Sequence, residues 1–309
     1  MKQNNVSDKK IDILLSTYNG ENFLEEQLNS IVKQTYENWK IIIRDDGSTD
    51  KTVEIIKKYM KRYPKKIKVI ENNGNLGAAK SFMSLINYSN SDYFMFCDQD
   101  DYWLEDKIEI TLKKMLELEK KNKNKPILIH TDLKVVNQNL DEISSSLWSY
   151  QGVNPKIKNY RKLIVENNIT GCTVMLNKNI KKYLKNYDIK KYIIMHDWFL
   201  GVLVAKLGVI DFVEKATILY RQHGKNDTGA KKNNILIKIL SLKKINFKLE
   251  IIEKLKKQSE TIFDILEEEA ILSFSNIKEK KFLLRKIWVM KNGFMKHSFI
   301  KNIIYLILI

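Results

Sequence analysis

The stretch Tyr93–Trp103, Tyr-Phe-Met-Phe-Cys-Asp-Gln-Asp-Asp-Tyr-Trp, constrains this chain more than any other. It opens as an apolar, aromatic-rich run of the length of a fully buried strand. It then turns abruptly into three carboxylates, Asp98, Asp100 and Asp101, around Gln99. A buried strand that ends in clustered acids delivers them to the carboxyl edge of a sheet, where open α/β sheets bind their ligands. Carboxylates packed this closely repel one another, so the arrangement favours a bound cation. Oxygen ligation by so few protein carboxylates suits Mg²⁺ or Mn²⁺ shared with a phosphate. An acidic turn capping a helix that begins near Leu104 would use the same residues, so the choice rests on the rest of the chain.

The segments before it alternate. Ile11–Ser16 reads as a first buried strand, and Thr17-Tyr18-Asn19-Gly20 as a turn in which Gly20 can take a positive φ. Asn22 stands three residues before Glu25, a variant of the capping box, with Phe23, Leu24, Leu28, Ile31 and Val32 at helical spacing behind it. Trp39–Ile43 is a β-branched run that again spills into acids, Arg44-Asp45-Asp46-Gly47-Ser48-Thr49-Asp50. Gly47 permits a tight turn there, and Thr49 or Asp50 caps the next helix, which ends before Pro64. Ile67–Ile70 is a third strand, Asn72–Gly77 a polar loop and Ala78–Tyr88 a third helix. Strand and helix alternating at this pitch predict an α/β fold with a doubly wound, mostly parallel sheet.

Two acid clusters at the ends of two strands suit a nucleotide lying across the sheet edge. One pair would meet base and ribose, the other a metal and the diphosphate. The chain has neither Gly-x-Gly-x-x-Gly nor Gly-x-x-x-x-Gly-Lys, so no glycine-rich backbone cradle holds the phosphates and a metal must take its place.

Five motifs now stand in order: Thr17-Tyr18-Asn19-Gly20, Gln34-Thr35-Tyr36, Asp45 through Asp50, Asn75-Leu76-Gly77 and Asp98-Gln99-Asp100-Asp101. Together they resemble the motifs of glycosyltransferase family 2, over roughly Lys10–Gly229. The wording from Cys97 to Trp103 is similar to the family's rhamnosyltransferase-like branch. The resemblance implies a GT-A-type fold and an enzyme that inverts the sugar's anomeric centre. It implies a nucleotide-diphosphate sugar donor, dTDP- or UDP-linked, contacted by Thr17, Tyr18, Asn19, Asp45, Asp46, Asn75, Lys80, Asp98, Gln99 and Arg221. The acceptor would be a glycan or lipid-linked glycan, and the cofactor Mg²⁺ or Mn²⁺ on Asp98, Asp100 and His223.

Beyond Trp103, Leu104–Lys121 is an amphipathic helix, Pro126–Asp132 a strand and Asn167–Asn177 a further strand in which Gly171 permits a close approach. Trp148 and Tyr150 lie in a polar acceptor-side loop and suit either sugar faces or inward packing. Met195-His196-Asp197-Trp198 opens an apolar helix. By position alone Asp197 is a helix-start acid favoured by the dipole; the resemblance makes it the catalytic base. His196 reads as a packed histidine. Val209–Leu219 reads as a pair of strands. After it Arg221, His223 and Lys225 alternate, so an extended chain would turn all three toward a diphosphate, or leave them in an exposed basic loop. The Gly224–Gly229 segment would serve as a mobile flap.

From Lys231 the composition becomes Lys-rich and helical, which suggests a catalytic domain over residues 1–230 and a basic helical appendage over 231–309. The appendage suits an anionic membrane surface, or packing and homodimer contacts. The formal charge of +17 fits a polyanionic partner, but no DNA- or RNA-binding motif is present. Cys97 and Cys172 give no disulfide or zinc pattern, and Met1–Lys10 lacks a signal-peptide core, so a cytoplasmic protein, peripheral on the inner membrane face, is expected. Two other functions use the same features: a nucleotide-sugar binder without transferase activity, and a glycoside hydrolase with paired carboxylates.

Overall fold

The computed structural model describes residues 8–72, 74–224, 229–230 and 245–309. One sheet organises it. Its strands are β1 (Ile11–Thr17), β2 (Trp39–Asp45), β3 (Ile67–Val69), β4 (Tyr93–Cys97), β5 (Tyr102–Trp103), β6 (Ile127–Val136), β7 (Glu142–Ser144), β8 (Met175–Asn177) and β9 (Val209–Arg221). The order is β3-β2-β1-β4-β8-β6-β9-β5, with β7 paired to β6. β3, β2, β1 and β4 run parallel; β8 is antiparallel to both β4 and β6.

Side chains alternate across this sheet, and both faces are buried. Leu14, Ile42, Phe94, Phe96 and Leu176 enter one hydrophobic cluster, while Ile13, Ile41, Ile43, Met95 and Cys97 enter the other. That is why the strands read as continuous apolar runs rather than alternating ones. The second cluster is covered by α1 (Leu24–Val32), α2 (Thr52–Arg62) and α4 (Lys107–Lys121), through Leu28, Ile31, Ile56, Tyr59, Ile108 and Leu112. The first is covered by α3 (Ala78–Ile86), and by α8 (His196–Leu207), which follows the short helices α5 (Leu147–Gln151), α6 (Tyr160–Val165) and α7 (Lys181–Leu184).

The C-terminal helices complete that cover. They are α9 (Ile245–Leu266), α10 (Glu269–Ser275), α11 (Phe282–Lys291) and α12 (Phe299–Leu308). Ile252, Leu255, Ile262, Phe274, Phe294 and Tyr305 belong to the same cluster as Leu14 and Phe96 of the sheet. Among the described residues, the segment from Ile252 to Ile309 thus contributes to the same core as the sheet. The expected boundary near residue 230 and the start of the first Lys-rich helix lie at or outside the edge of the described residues. Among the described residues no helix is long and apolar enough to cross a membrane.

Several local expectations change. The capping box does not form: the residue before α1 is Phe23, without a side-chain cap, and the N–H of Leu24 donates instead to the Gly20 carbonyl at 3.0 Å. The positive φ expected at Gly20 falls at Asn19, at +48°, a residue type that tolerates this region. Gly47 does turn with φ +95°. Asn167–Asn177 is not one strand: Gly171–Thr173 is a 3₁₀ turn, because the Thr173 hydroxyl donates to the Thr170 carbonyl at 2.6 Å and competes with ladder pairing. Val209–Arg221 is a single long strand, and register shifts around Asp132 in its partner β6 absorb the bend.

Candidate functional site

The carboxyl ends of β1 and β4, the loop after β2, and the start of α8 face one cleft of about 430 Å³. Thr17, Tyr18, Asp46, Asn75, Asp98, Gln99, Asp100 and Asp197 all line it. Parallel pairing brings this about, because Thr17 lies level with Asp45 and Leu15 level with Cys97, so both acid clusters emerge on the same edge. Separate strands thus deliver separate carboxylates to one place.

The acids after β2 hold loops. Asp45 accepts from the Thr17 hydroxyl at 2.9 Å and from the Ser48 N–H at 2.8 Å. Asp46 is buried, pairs with Arg44 and accepts from the N–H groups of Leu76 (2.9 Å) and Gly77 (2.7 Å). Asn75 donates to the Asp46 carbonyl at 2.8 Å, so the Asn75-Leu76-Gly77 loop is tied down beside the cleft. The Asn19 side chain accepts from the Thr49 N–H at 2.8 Å, linking the first turn to the second. Lys80 reaches away, to the Lys190 carbonyl at 3.2 Å. Of this group Asp46 and Asn75 line the cleft, whereas Asn19, Asp45 and Lys80 do not.

Gln99 fixes the first turn directly. Its Oε1 accepts from the Tyr18 N–H at 2.8 Å and its Nε2 donates to the Tyr18 carbonyl at 3.0 Å. Gly20 is required by this contact, since a Cβ there would lie 2.3 Å from Gln99 Oε1. Tyr18 itself stays half exposed, offering a ring to the cleft.

The end of β9 closes the acidic side. His223 Nε2 lies 2.7 Å from Asp100 Oδ2, and its ring stacks on Phe23 at 4.8 Å. Arg221, expected to meet a diphosphate, is not among the residues that line the cleft. It is 2 % exposed, and its guanidinium pairs with Glu26 and donates to the carbonyls of Gln138 and Asp100, the latter at 2.8 Å. Burial costs a guanidinium too much to leave it unpaired, so it braces the acid loop from behind. Lys225 and the body of the Gly224–Gly229 segment lie outside the described residues.

Two sets of groups could be weighed for a cation. Asp98, Asp101 and Cys172 have ligand atoms within 4.8 Å of one another. Asp101 and Cys172 are fully buried, and burial pushes both the Asp101 carboxyl and the Cys172 thiol well above their usual ranges. A neutral thiol is a poor partner for a hard cation. Asp98 and Asp100 face the cleft, and His223 lies against Asp100; carboxylate oxygens and an imidazole are donor types that Mg²⁺ or Mn²⁺ accepts.

Across the cleft, Asp197 sits in the first turn of α8, 6 % exposed. Burial raises its carboxyl to about 7, against the hydrogen bonds of Trp198 N–H, Gly171 N–H and the Asn167 side chain that hold it. The Trp198 bond is 2.6 Å. His196 is packed, as its surroundings in the sequence suggested: its ring lies 4.2 Å from Phe82 and 4.5 Å from Phe96, and burial lowers it to about 3. The close approach permitted by Gly171 is to this ring, whose Nε2 would be 2.8 Å from a Cβ at Gly171. Trp148 packs inward, edge-on to His130 at 5.6 Å. Ser16, Phe82, Thr170 and Tyr220 also line the cleft and have no motif to mark them in the sequence.

Comparison with known proteins agrees with this architecture. The family model for glycosyl transferase family 2 matches residues 12–184. The dTDP-rhamnosyl transferase RfbG of Shigella flexneri is 32% identical over 233 residues, 70% of this chain and 74% of that protein. The Escherichia coli protein WfgD, a UDP-Glc:alpha-D-GlcNAc-diphosphoundecaprenol beta-1,3-glucosyltransferase, is 27% identical over 175 residues, 57% of this chain and 63% of its own. The crystal structure of S. aureus TarS 1-349 in complex with UDP-GlcNAc superposes with a TM-score of 0.53 at 18% identity, covering 83% of this chain and 71% of that one, which shows a shared GT-A-type fold. A family match across more than half of the chain, and a relative that aligns along most of both lengths, place this protein in glycosyl transferase family 2.

Proposed function

We propose that this protein moves a sugar from a nucleotide-diphosphate donor to a hydroxyl of a glycan or lipid-linked glycan, in one displacement with inversion. The observation that carries the reading is that Asp98 and Asp100 line one cleft with Asp197, which is far from them in sequence. Tyr18, Thr17 and the loop of Asp46 and Asn75 form the side suited to base and ribose. Asp98, Asp100 and His223 would hold a divalent cation, which when bound would supply positive charge for the departing diphosphate. Asp197 takes the proton of the acceptor hydroxyl. That oxygen bonds to the anomeric carbon as the bond from carbon to the diphosphate oxygen breaks. A carboxyl lifted to about 7 suits this role, since a general base works best with a pKa near the operating pH.

The names of the relatives support a dTDP-rhamnose or UDP-hexose donor, and that of WfgD supports a lipid-linked acceptor. A thermal-shift screen of nucleotide sugars with Mn²⁺ tests the donor class. A true donor at 100 times its Kd adds about 2.7 kcal/mol of stability. Stabilisation by nucleotide-diphosphate sugars, and not by free sugars, is the expected result. Hydrolysis of simple glycosides with no response to any nucleotide would point to a hydrolase instead.

A further inference from the structure

The last two helices turn apolar side chains outward. On α11, Leu283, Ile287 and Met290 recur at spacings of four and three residues and are 66%, 47% and 47% exposed. Phe282 and Leu284 beside them are each 56% exposed. On α12, Phe299, Ile303 and Ile307 recur every four residues and are also exposed, Phe299 at 80%. The core-facing sides of the same helices are separate, carrying Val289 and Tyr305 into the hydrophobic cluster. A helix apolar on both sides belongs in surroundings apolar on both sides. Most of the large apolar side chains exposed among the described residues lie on these two helices, and such concentrations mark interaction surfaces.

Charge identifies the partner. From Lys280 to Ile309 there is no Asp or Glu, while Lys280, Lys281, Arg285, Lys286, Lys291, Lys296 and Lys301 all fall there. Lys296 and Lys301 are engaged inside the protein, donating to the Val165 carbonyl at 3.1 Å and to Glu166 at 2.6 Å. The remaining five surround α11. The Lys286 ammonium lies 3.7 Å from the Phe282 ring centroid and the Arg285 guanidinium 5.2 Å from it, so long basic side chains run along the apolar stripe. Stems on apolar surface with charged heads at its rim are what a bilayer interface accommodates. A second copy of this chain is disfavoured, because a two-fold contact would set these cations against their own copies.

We propose that α11 and α12 dock this protein on an anionic lipid bilayer, the apolar stripes entering the headgroup boundary and the basic residues meeting lipid phosphates. The inference stands apart from the transfer reaction, and its test needs no activity. Removing the C-terminal region would strip core residues such as Phe274 and Phe294, so the test uses the full chain with substitutions at exposed positions.

The measurement is flotation with phosphatidylcholine vesicles with and without phosphatidylglycerol, across a salt series. Each basic residue near an anionic leaflet raises partitioning about fivefold, so the wild type floats with anionic vesicles and is released by salt. A variant carrying Leu283→Ser, Ile287→Ser, Phe299→Ser and Ile303→Ser partitions at least tenfold less, and so does one carrying Lys280→Glu, Lys281→Glu and Lys286→Glu. Both keep the wild-type thermal transition. Absence of wild-type flotation, or equal flotation of wild type and both variants, overturns the proposal. A salt-insensitive dimer that the serine substitutions dissociate, without lipid binding, assigns the surface to self-association instead.

Discussion

Gln99 holds the peptide of Tyr18 by both ends, accepting from its N–H at 2.8 Å and donating to its carbonyl at 3.0 Å. A side-chain amide here does what a neighbouring strand would do, and it ties the loop after β4 to the loop after β1. Gln99→Ala leaves the Tyr18 peptide without these partners and loosens the wall suited to the nucleotide. The expected outcome is a donor KM raised about tenfold with a smaller change in kcat, the pattern of lost ground-state binding. Gly20→Ala pushes Gln99 out of the same position, so the double variant should cost little more than either single one, a non-additivity read from a double-mutant cycle.

The acidic side of the cleft gives a metal prediction. Asp100 and His223 touch at 2.7 Å, and Asp100 lines the cleft with Asp98; these three are the proposed ligands of Mg²⁺ or Mn²⁺. Chelation with EDTA should abolish transfer, and Mn²⁺ should restore it. Mn²⁺ should also raise the melting temperature of the wild type measurably and leave that of Asp100→Ala unchanged. Equal Mn²⁺ stabilisation of both proteins would move the cation elsewhere.

Burial of Asp197 links activity to pH. Its carboxyl is lifted to about 7 by burial, so kcat/KM should rise with pH through about 7 as the base ionises. Stability moves the opposite way. Because the folded state holds this proton more tightly than the unfolded one, the contribution is complete below about pH 4 and is lost as pH rises through about 7. The slope in that window is about 1.4 kcal/mol per pH unit. Asp197→Asn removes the dependence, so urea unfolding at pH 8 should show the variant to be no less stable than the wild type.

The C-terminal helices give a stability contrast. Phe274 and Phe294 stack at 4.8 Å in the core shared with the sheet. Phe274→Ala should cost about 3–5 kcal/mol of unfolding free energy. Phe299 is 80% exposed, and Phe299→Ala should stay within about 0.5 kcal/mol of the wild type. A small loss for Phe274→Ala would separate these helices from the core energetically.

Much of this was legible in the sequence, for reasons that differ by residue. Apolar runs ending in acids fixed β2 and β4 and the edge to which Asp46, Asp98 and Asp100 are delivered, because a buried strand leaves little choice of period. For Asp197 spacing alone gave a helix-start acid, and only the resemblance to family 2 marked it as a base. Other features depend on tertiary partners. Alternation placed Arg221 and His223 on one side of an extended segment, but which side is buried is decided by Glu26 and Phe23, nearly two hundred residues earlier in the chain. Asn19 and Gly20 both tolerate a turn, and only the arrival of Gln99 determines that the second must be glycine. Lys-rich periodicity shows that the C-terminal stretch is helical and says nothing of what its apolar residues cover. Tyr220 and Thr170 line the cleft because of where β9 and the 3₁₀ turn end.

The proposed role of Asp197 is to remove the acceptor's proton in a cleft that binds the donor without its help. Single-turnover transfer and donor binding, measured side by side on wild type and Asp197→Asn with the donor found by thermal shift, test it most directly. The rate of transfer should fall at least about 100-fold, with donor Kd essentially unchanged. A variant that transfers at the wild-type rate, or that fails because it no longer binds donor, would contradict it.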